Sequence, residues 1–153
     1  MCGIAGYITK KKYSNFSFKE TSKNLAKLMK RRGPDQQGSM TFSSCSYNIN
    51  LFSSRLSIID LDNRSNQPFK YKELVLIYNG EIYNYLEIKK LLNSKNISIN
   101  WKGKSDTEVL LESISFFGLS ETLRMIRGMF AFALLDNLKK KLILVRDRMG
   151  EKP

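Results

Sequence analysis

The sequence predicts a mixed α/β domain of the α+β kind, with much antiparallel strand pairing, from three observations. A short apolar segment, Gly3 to Ile8, stands almost at the N-terminus and is followed by residues at helical spacing. Apolar runs of strand length recur between residues 39 and 78, with turn residues between them. Further on, Gly128 to Asp136 and Lys141 to Asp147 are two long apolar runs joined by a short polar turn, the pattern of a hairpin. The 153 residues are 42% hydrophobic and 11% aromatic, which suits one domain with a packed core and not a disordered chain.

After the first strand, Ser17 followed by Glu20 has the form of a capping box, and Phe18, Leu25, Leu28 and Met29 recur at helical spacing. This predicts a helix over 18–31, broken by the Gly-Pro turn of Arg32-Gly33-Pro34-Asp35. Residues 39–43 and 46–52 read as two strands, and Ser53 to Ile59 as a further strand ending at Asp60. Leu74 to Tyr78 reads as a buried strand running into Asn79-Gly80, and Tyr85 to Leu92, with Leu86, Leu91 and Leu92, as a helix. Asp106 is read as the N-cap of a helix that contains Val109, Leu110 and Ile114 and closes at Gly118. Arg146 to Pro153 is a charged turn, and another strand is expected beyond it.

Composition excludes several chemistries. There is no histidine, so Ser-His-Asp and Cys-His systems and HExxH zinc sites are ruled out. Two cysteines, Cys2 and Cys45, without a Cys-x-x-Cys pair, argue against a zinc knuckle, an iron–sulfur site or a disulfide framework, and no metal is expected. The net charge is +12, but the lysines are scattered and aromatics do not interleave with them. That reads as a solvated basic surface, with no nucleic-acid partner expected. The longest apolar run, Met129 to Leu135, is far short of the ~20 residues of a membrane span, so no membrane association is expected. The N-terminus does not read as a signal peptide, and a cytoplasmic protein is expected.

The chemistry left over centres on Cys2. Removal of Met1 would put a thiol and a free α-amine on one residue, with unperturbed pKa values of ~8.5 and ~7.7–8.0. The amine then takes the thiol proton and later returns it to a leaving group, so no histidine is needed. The other reading of Cys2 is a buried, inert cysteine. Asn79-Gly80 offers an amide donor and an unobstructed N–H for an oxyanion, or is an ordinary Asn-Gly turn. Arg55, in an otherwise apolar stretch, either forks onto a substrate carboxylate or snorkels from an edge strand. Asp106 either pairs with a substrate ammonium or only caps its helix. Gly103-Lys104-Ser105 copies the end of a phosphate-binding loop, but position 98 is Ser where that loop needs Gly, so ATP is not expected there.

In order along the chain, Met1-Cys2-Gly3-Ile4-Ala5-Gly6, Arg32-Gly33-Pro34-Asp35, Arg55-Leu56-Ser57-Ile58-Ile59-Asp60 and Gln67-Pro68 are followed by Asn79-Gly80-Glu81-Ile82-Tyr83-Asn84, Ser105-Asp106-Thr107-Glu108, Arg127-Gly128-Met129-Phe130-Ala131-Phe132 and Arg146-Asp147-Arg148. This set resembles the class II glutamine amidotransferase domain, in the branch that forms the N-terminal domain of glutamine-hydrolysing asparagine synthetases. The resemblance implies an N-terminal-nucleophile αββα sandwich of four layers with two stacked antiparallel sheets. It implies that Cys2 attacks the glutamine side-chain amide, forms a thioester and releases ammonia and then glutamate. By the same resemblance Asn79 and Gly80 form the oxyanion hole and Arg55 holds the α-carboxylate. Glu81 and Asp106 hold the α-ammonium, and the backbone of Leu56, Ser57, Ile58 and Ile59 lines the pocket.

No cofactor is implied for that step. ATP and Mg belong to a synthetase domain or subunit, where ammonia meets an activated aspartate. The expected partners are glutamine and that domain, and homo-oligomer formation is left open. Departures from the family pattern are Ser53-Ser54 before Arg55 and Lys30-Arg31-Arg32 before Gly33. The domain over 1–153 is expected to be incomplete at its C-terminus, with the synthetase domain absent. Alternatives are a sugar or peptide as amide acceptor, or an inactive remnant serving as a partner.

Overall fold

The computed structural model describes residues 2–11, 17–95 and 99–153. Among them, strand β1 (Gly3–Lys10) is followed by helix α1 (Phe18–Met29), β2 (Gln36–Ser43), β3 (Tyr47–Arg55), β4 (Phe69–Tyr71) and β5 (Leu74–Ile82). Helices α2 (Tyr85–Ser94), α3 (Asp106–Phe117) and α4 (Leu119–Met125) come next, and the hairpin β6 (Gly128–Asp136) and β7 (Lys141–Arg146) ends the order.

The described strands form two antiparallel sheets, one ordered β1-β3-β2 and the other β4-β5-β6-β7. Side chains alternate across a strand, and β5 uses both faces. Val75 and Ile77 meet Ala133 and Leu135 of β6 and Leu51 of β3 in the layer between the sheets, with Ile4, Met40 and Ile49 at its margin. Leu76, Tyr78 and Ile82 point the other way and pack with Phe130, Phe132 and Leu134 against Ile88 and Leu92 of α2 and Val109, Leu110 and Ile114 of α3. On the outer face of the first sheet lies α1, which contacts β2 and β3. The layer order is therefore αββα, the α+β architecture expected from the resemblance.

Several local expectations change. Ser17 does cap α1, accepting from the Glu20 amide at 3.2 Å, but the helix ends at Met29. Leu28 lies on its outer side, 80% exposed, off the stripe formed by Phe18, Leu25 and Met29. In α2 the buried residues are Ile88 and Leu92, while Leu86 and Leu91 face outward. β2 begins at Gln36, three residues before its expected start. The further strand expected over 53–59 does not exist. Ser53 to Arg55 complete β3, and 56–59 have no regular structure. There the backbone donors go to side chains instead of a ladder: Leu56 N–H to Cys2 Sγ at 3.3 Å and Ser57 N–H to Asp35 Oδ2 at 2.7 Å. Asn79-Gly80 is not a turn, because β5 continues through both to Ile82. Ser105, not Asp106, is the N-cap of α3, accepting from the Thr107 amide at 3.0 Å. The short strand β4 and helix α4 have no counterpart in the sequence-based expectations. No helix among the described residues is long and apolar enough to cross a membrane.

Candidate active site

Both sheets end at one small cavity. Cys2 immediately precedes β1 and is half-buried, with a free thiol. Leu56 fixes its sulfur from two sides, the amide donating at 3.3 Å and the carbonyl accepting from Sγ–H at 3.6 Å. The Leu56 backbone is held there by the turn after α1. Gly33 N–H reaches Met29 O at 3.3 Å, and the Ser54 hydroxyl donates to Gly33 O at 2.6 Å. A Cβ on Gly33 would stand 2.3 Å from the Ser54 backbone, so only glycine lets this turn lie against β3.

Arg55 ends the central strand of its sheet and is 7% exposed, which rules out the snorkelling edge residue. Its guanidinium donates to Asn66 Oδ1 at 3.2 Å and to the Asp60 carbonyl. Asp60 also ties two loops together. Its carboxylate accepts from Ser65 Oγ at 2.7 Å, Lys104 N–H at 2.8 Å and Asp62 N–H at 3.0 Å. Burial acts to raise the Asp60 carboxyl, but these donors outweigh it and hold it below the ordinary range.

From the second sheet, the face of β5 that carries Val75 and Ile77 also carries Asn79, which is buried, lines the cavity and makes no side-chain hydrogen bond to any described residue. Gly80 follows, and a Cβ there would stand 2.4 Å from Met129 O, so glycine keeps β5 against β6. Asn84, at the end of the same motif, clamps the chain: it donates to Met125 O at 3.0 Å and accepts from Arg127 N–H at 2.9 Å. Asp106, at the first turn of α3, is buried. Its Oδ2 accepts from Tyr78 Oη at 2.7 Å and Ile82 N–H at 3.0 Å. Burial raises the Asp106 carboxyl above its ordinary value, against the pull of these donors and with a further push from Glu81.

The cavity encloses about 90 Å³, and its lining includes Cys2, Arg55, Leu56, Ile58, Ile59, Asn79, Gly80, Glu81 and Asp106. Of the residues singled out in the sequence, only Ser57 stands off it, its amide turned to Asp35. Its size is well below the roughly 300–1,000 Å³ of sites for drug-sized ligands, and it suits one small polar molecule.

The lining also holds Asp60, Gln67, Tyr78, Ser105, Thr107, Met129 and Lys152, which sequence reasoning assigned no role at the site. The Gln67-Pro68 and Arg-Asp-Arg motifs were the available signals. Gln67 Oε1 accepts the Tyr78 amide at 2.7 Å. Asp147 gathers the amides of Phe130, Glu151 and Lys152 at 2.9–3.2 Å, which holds its carboxyl down at about 2. Arg146 braces the same segment by donating to Gly150 O at 2.7 Å, and Lys152 is thereby held at the cavity.

The loop before α3 is no phosphate cradle. The amides of Lys102 and Gly103 donate to the two oxygens of Glu108 at 2.7 and 2.9 Å, and that of Lys104 to Asp60. All three are engaged by carboxylates. Among the described residues no cluster of side chains suits a metal ion.

An αββα sandwich with a cysteine at the second position at the joint end of its sheets has the fold of the N-terminal-nucleophile type. A solved structure agrees: the glutamine phosphoribosylpyrophosphate amidotransferase of B. subtilis superposes with a TM-score of 0.54 at 22% identity, over 68% of this chain and 24% of that one. The family of glutamine amidotransferase domains matches residues 1–153, and the chain belongs to it. Asparagine synthetase (glutamine-hydrolyzing) 1 of Bacillus subtilis is 35% identical over 156 residues, covering 100% of this chain and 23% of that protein. Amidase chry2 of Gibberella zeae is 35% identical over 162 residues, covering 99% and 23%. A relative from Methanocaldococcus jannaschii is 33% identical over 169 residues, and the chain spans 31% of its length.

Proposed function

We propose that this domain releases ammonia from glutamine, with Cys2 as nucleophile, and that the ammonia passes to an ATP-activated aspartate bound by another part of a longer protein. The supporting observation is the charge pattern of the cavity at the joint end of the two sheets. A guanidinium (Arg55) and two carboxylates (Glu81 and Asp106) match the α-carboxylate and α-ammonium of an amino acid, and a thiol and an unpartnered amide donor share the cavity. Sγ attacks the carboxamide carbon, the C–O π pair moves onto oxygen, and Asn79 with the Gly80 amide stabilises that oxyanion. Collapse breaks the C–N bond. The thiol proton, taken by the α-amine of Cys2, leaves with the nitrogen as ammonia. Water then attacks the thioester carbon and frees glutamate and the thiol. The α-amine requires removal of Met1, which lies outside the described residues.

On this reading ATP and Mg act only at the acceptor, and the protein works in the cytoplasm. The test is glutamine-dependent ammonia release by the purified protein beside Cys2→Ala, with intact mass to verify a Cys2 start. Activity is expected to fall at least ~10³-fold in the variant with its melting temperature unchanged. A Cys2→Ala protein that retains the activity would overturn the reading.

A further inference from the structure

The hydrogen bonds at Asp106 give a role to a residue that the catalytic scheme leaves unused. Tyr78 lies on the helix-facing side of β5 and is 2% exposed. A phenol so deeply buried needs a partner, and its hydroxyl donates to Asp106 Oδ2 at 2.7 Å. Burial raises the phenol well above its ordinary value, so it stays a donor throughout the working pH range. Ile82 N–H takes the same oxygen at 3.0 Å. Both donors therefore converge on Oδ2, and although the Thr107 amide also favours the carboxylate, Oδ1 keeps capacity for a ligand. The main chain of Tyr78 is held in turn by Gln67 Oε1 at 2.7 Å, and Gln67 exchanges two hydrogen bonds with the side chain of Gln36 on β2. A continuous run of hydrogen bonds thus leads from the first sheet, through Tyr78, to Asp106.

Resting on the glutaminase reading, we propose that Tyr78 is a positioning residue: its hydroxyl locks the Asp106 carboxylate so that the free oxygen meets the α-ammonium of glutamine. The phenol hydroxyl is committed to Asp106, so its contribution belongs to substrate binding and not to the chemical step. Phenylalanine fills the same volume, and the Ile82 amide still holds one oxygen, so the carboxylate loses orientation without losing its place.

Tyr78→Phe is expected to raise KM for glutamine about 5- to 20-fold with kcat within about 2-fold, the cost of one hydrogen bond to a charged group. The acid limb of kcat/KM should also move to higher pH, because the phenol is one of the donors that favour the ionised carboxylate. The charged and titratable groups around Asp106 are Tyr78 and Glu81 on β5, Cys2 before β1, Arg55 at the end of β3, Asp60 in the loop after it, and Lys152 in the C-terminal segment. Only Tyr78 changes in this variant. A merely structural role would lower the melting temperature and leave the limb in place.

Asp106→Asn supplies the second arm. In that background Tyr78→Phe should change KM by less than about 2-fold, since the group it orients no longer carries charge. The experiment compares the full-length wild type, the two single variants and the double variant by ammonia release across pH. An active wild type with an unchanged KM and acid limb in Tyr78→Phe would overturn the positioning role alone. A wild type that releases no ammonia would overturn the glutaminase reading and the positioning role with it.

Discussion

The two halves of the sandwich differ sharply in how they are supported. The second sheet has α2, α3 and α4 packed on its outer face, and residues 105–114 of α3 and its cap are buried throughout. Among the described residues the first sheet carries only α1 on its outer face, and no residue of α1 is buried. The cavity lining is shared across this inequality. The lightly covered half brings Cys2 and Arg55, and the heavily packed half brings Asn79, Gly80, Glu81 and Asp106. Apolar burial anchors one wall of the cavity, whereas hydrogen bonds anchor the other: Ser54 donates to Gly33, and Asp35 and Asp60 accept from the Ser57 and Lys104 amides. A site assembled this way depends on a few polar contacts on the side that holds Cys2.

Substitutions should expose the inequality. Leu111→Ala, at a position with 0% exposure in α3, is expected to cost about 2–5 kcal/mol of stability by chemical denaturation. Leu25→Ala, half-buried on α1, should cost about 1 kcal/mol or less. Equal losses would mean that the two layers share the load.

Gly33→Ala is expected to cost about 1–3 kcal/mol, since its Cβ meets the Ser54 backbone, and to depress glutaminase activity because that backbone carries Arg55 and Leu56. An active and stable Gly33→Ala protein would show that the turn is not what holds this wall.

Asp60→Ala removes the carboxylate that ties the loop after Arg55 to Ser65 and to the loop before α3, and leaves the Asp60 carbonyl that accepts from Arg55. It should raise KM for glutamine about 10-fold with a smaller change in kcat, by steady-state ammonia release.

Acid separates activity from folding. Asp106, raised by burial, loses its charge at a higher pH than an ordinary aspartate, and kcat/KM is expected to fall there. Its raised value means that its ionised form costs stability at neutral pH, a cost that disappears on protonation. Asp147 is depressed to about 2, so its contribution to stability is present above the ordinary carboxylate value near ~3.9 and is lost only as pH falls toward 2. The expected result is a pH interval in which near-UV circular dichroism is native and activity is gone.

Much of the candidate site's lining was legible because its motifs are contiguous. Asn79 to Asn84 encodes a donor, a close strand crossing, a carboxylate, a core residue and a clamp in six successive positions. The hairpin and the closing glycine of α3 were equally readable, since apolar alternation and a C-terminal glycine are local signals. The expected strand over 53–59 failed because an apolar run does not say whether its amides will find a ladder. Here they found Cys2 and Asp35.

From sequence, local chemistry was decided: which residues carry a thiol, a fork of donors or a carboxylate, and which alternations make strands. The meeting of Cys2 with Asp106, the burial that raises Asp106 and the roles of Asp60, Gln67, Tyr78 and Lys152 depend on contacts between residues far apart in the chain. Tyr78 shows the difference. Its place in an apolar strand is a matter of side-chain period, but its hydroxyl acquires a partner only when α3 packs on β5 and removes both groups from water. Desolvation and hydrogen-bond geometry are properties of the folded neighbourhood, and so only the tertiary structure could assign them.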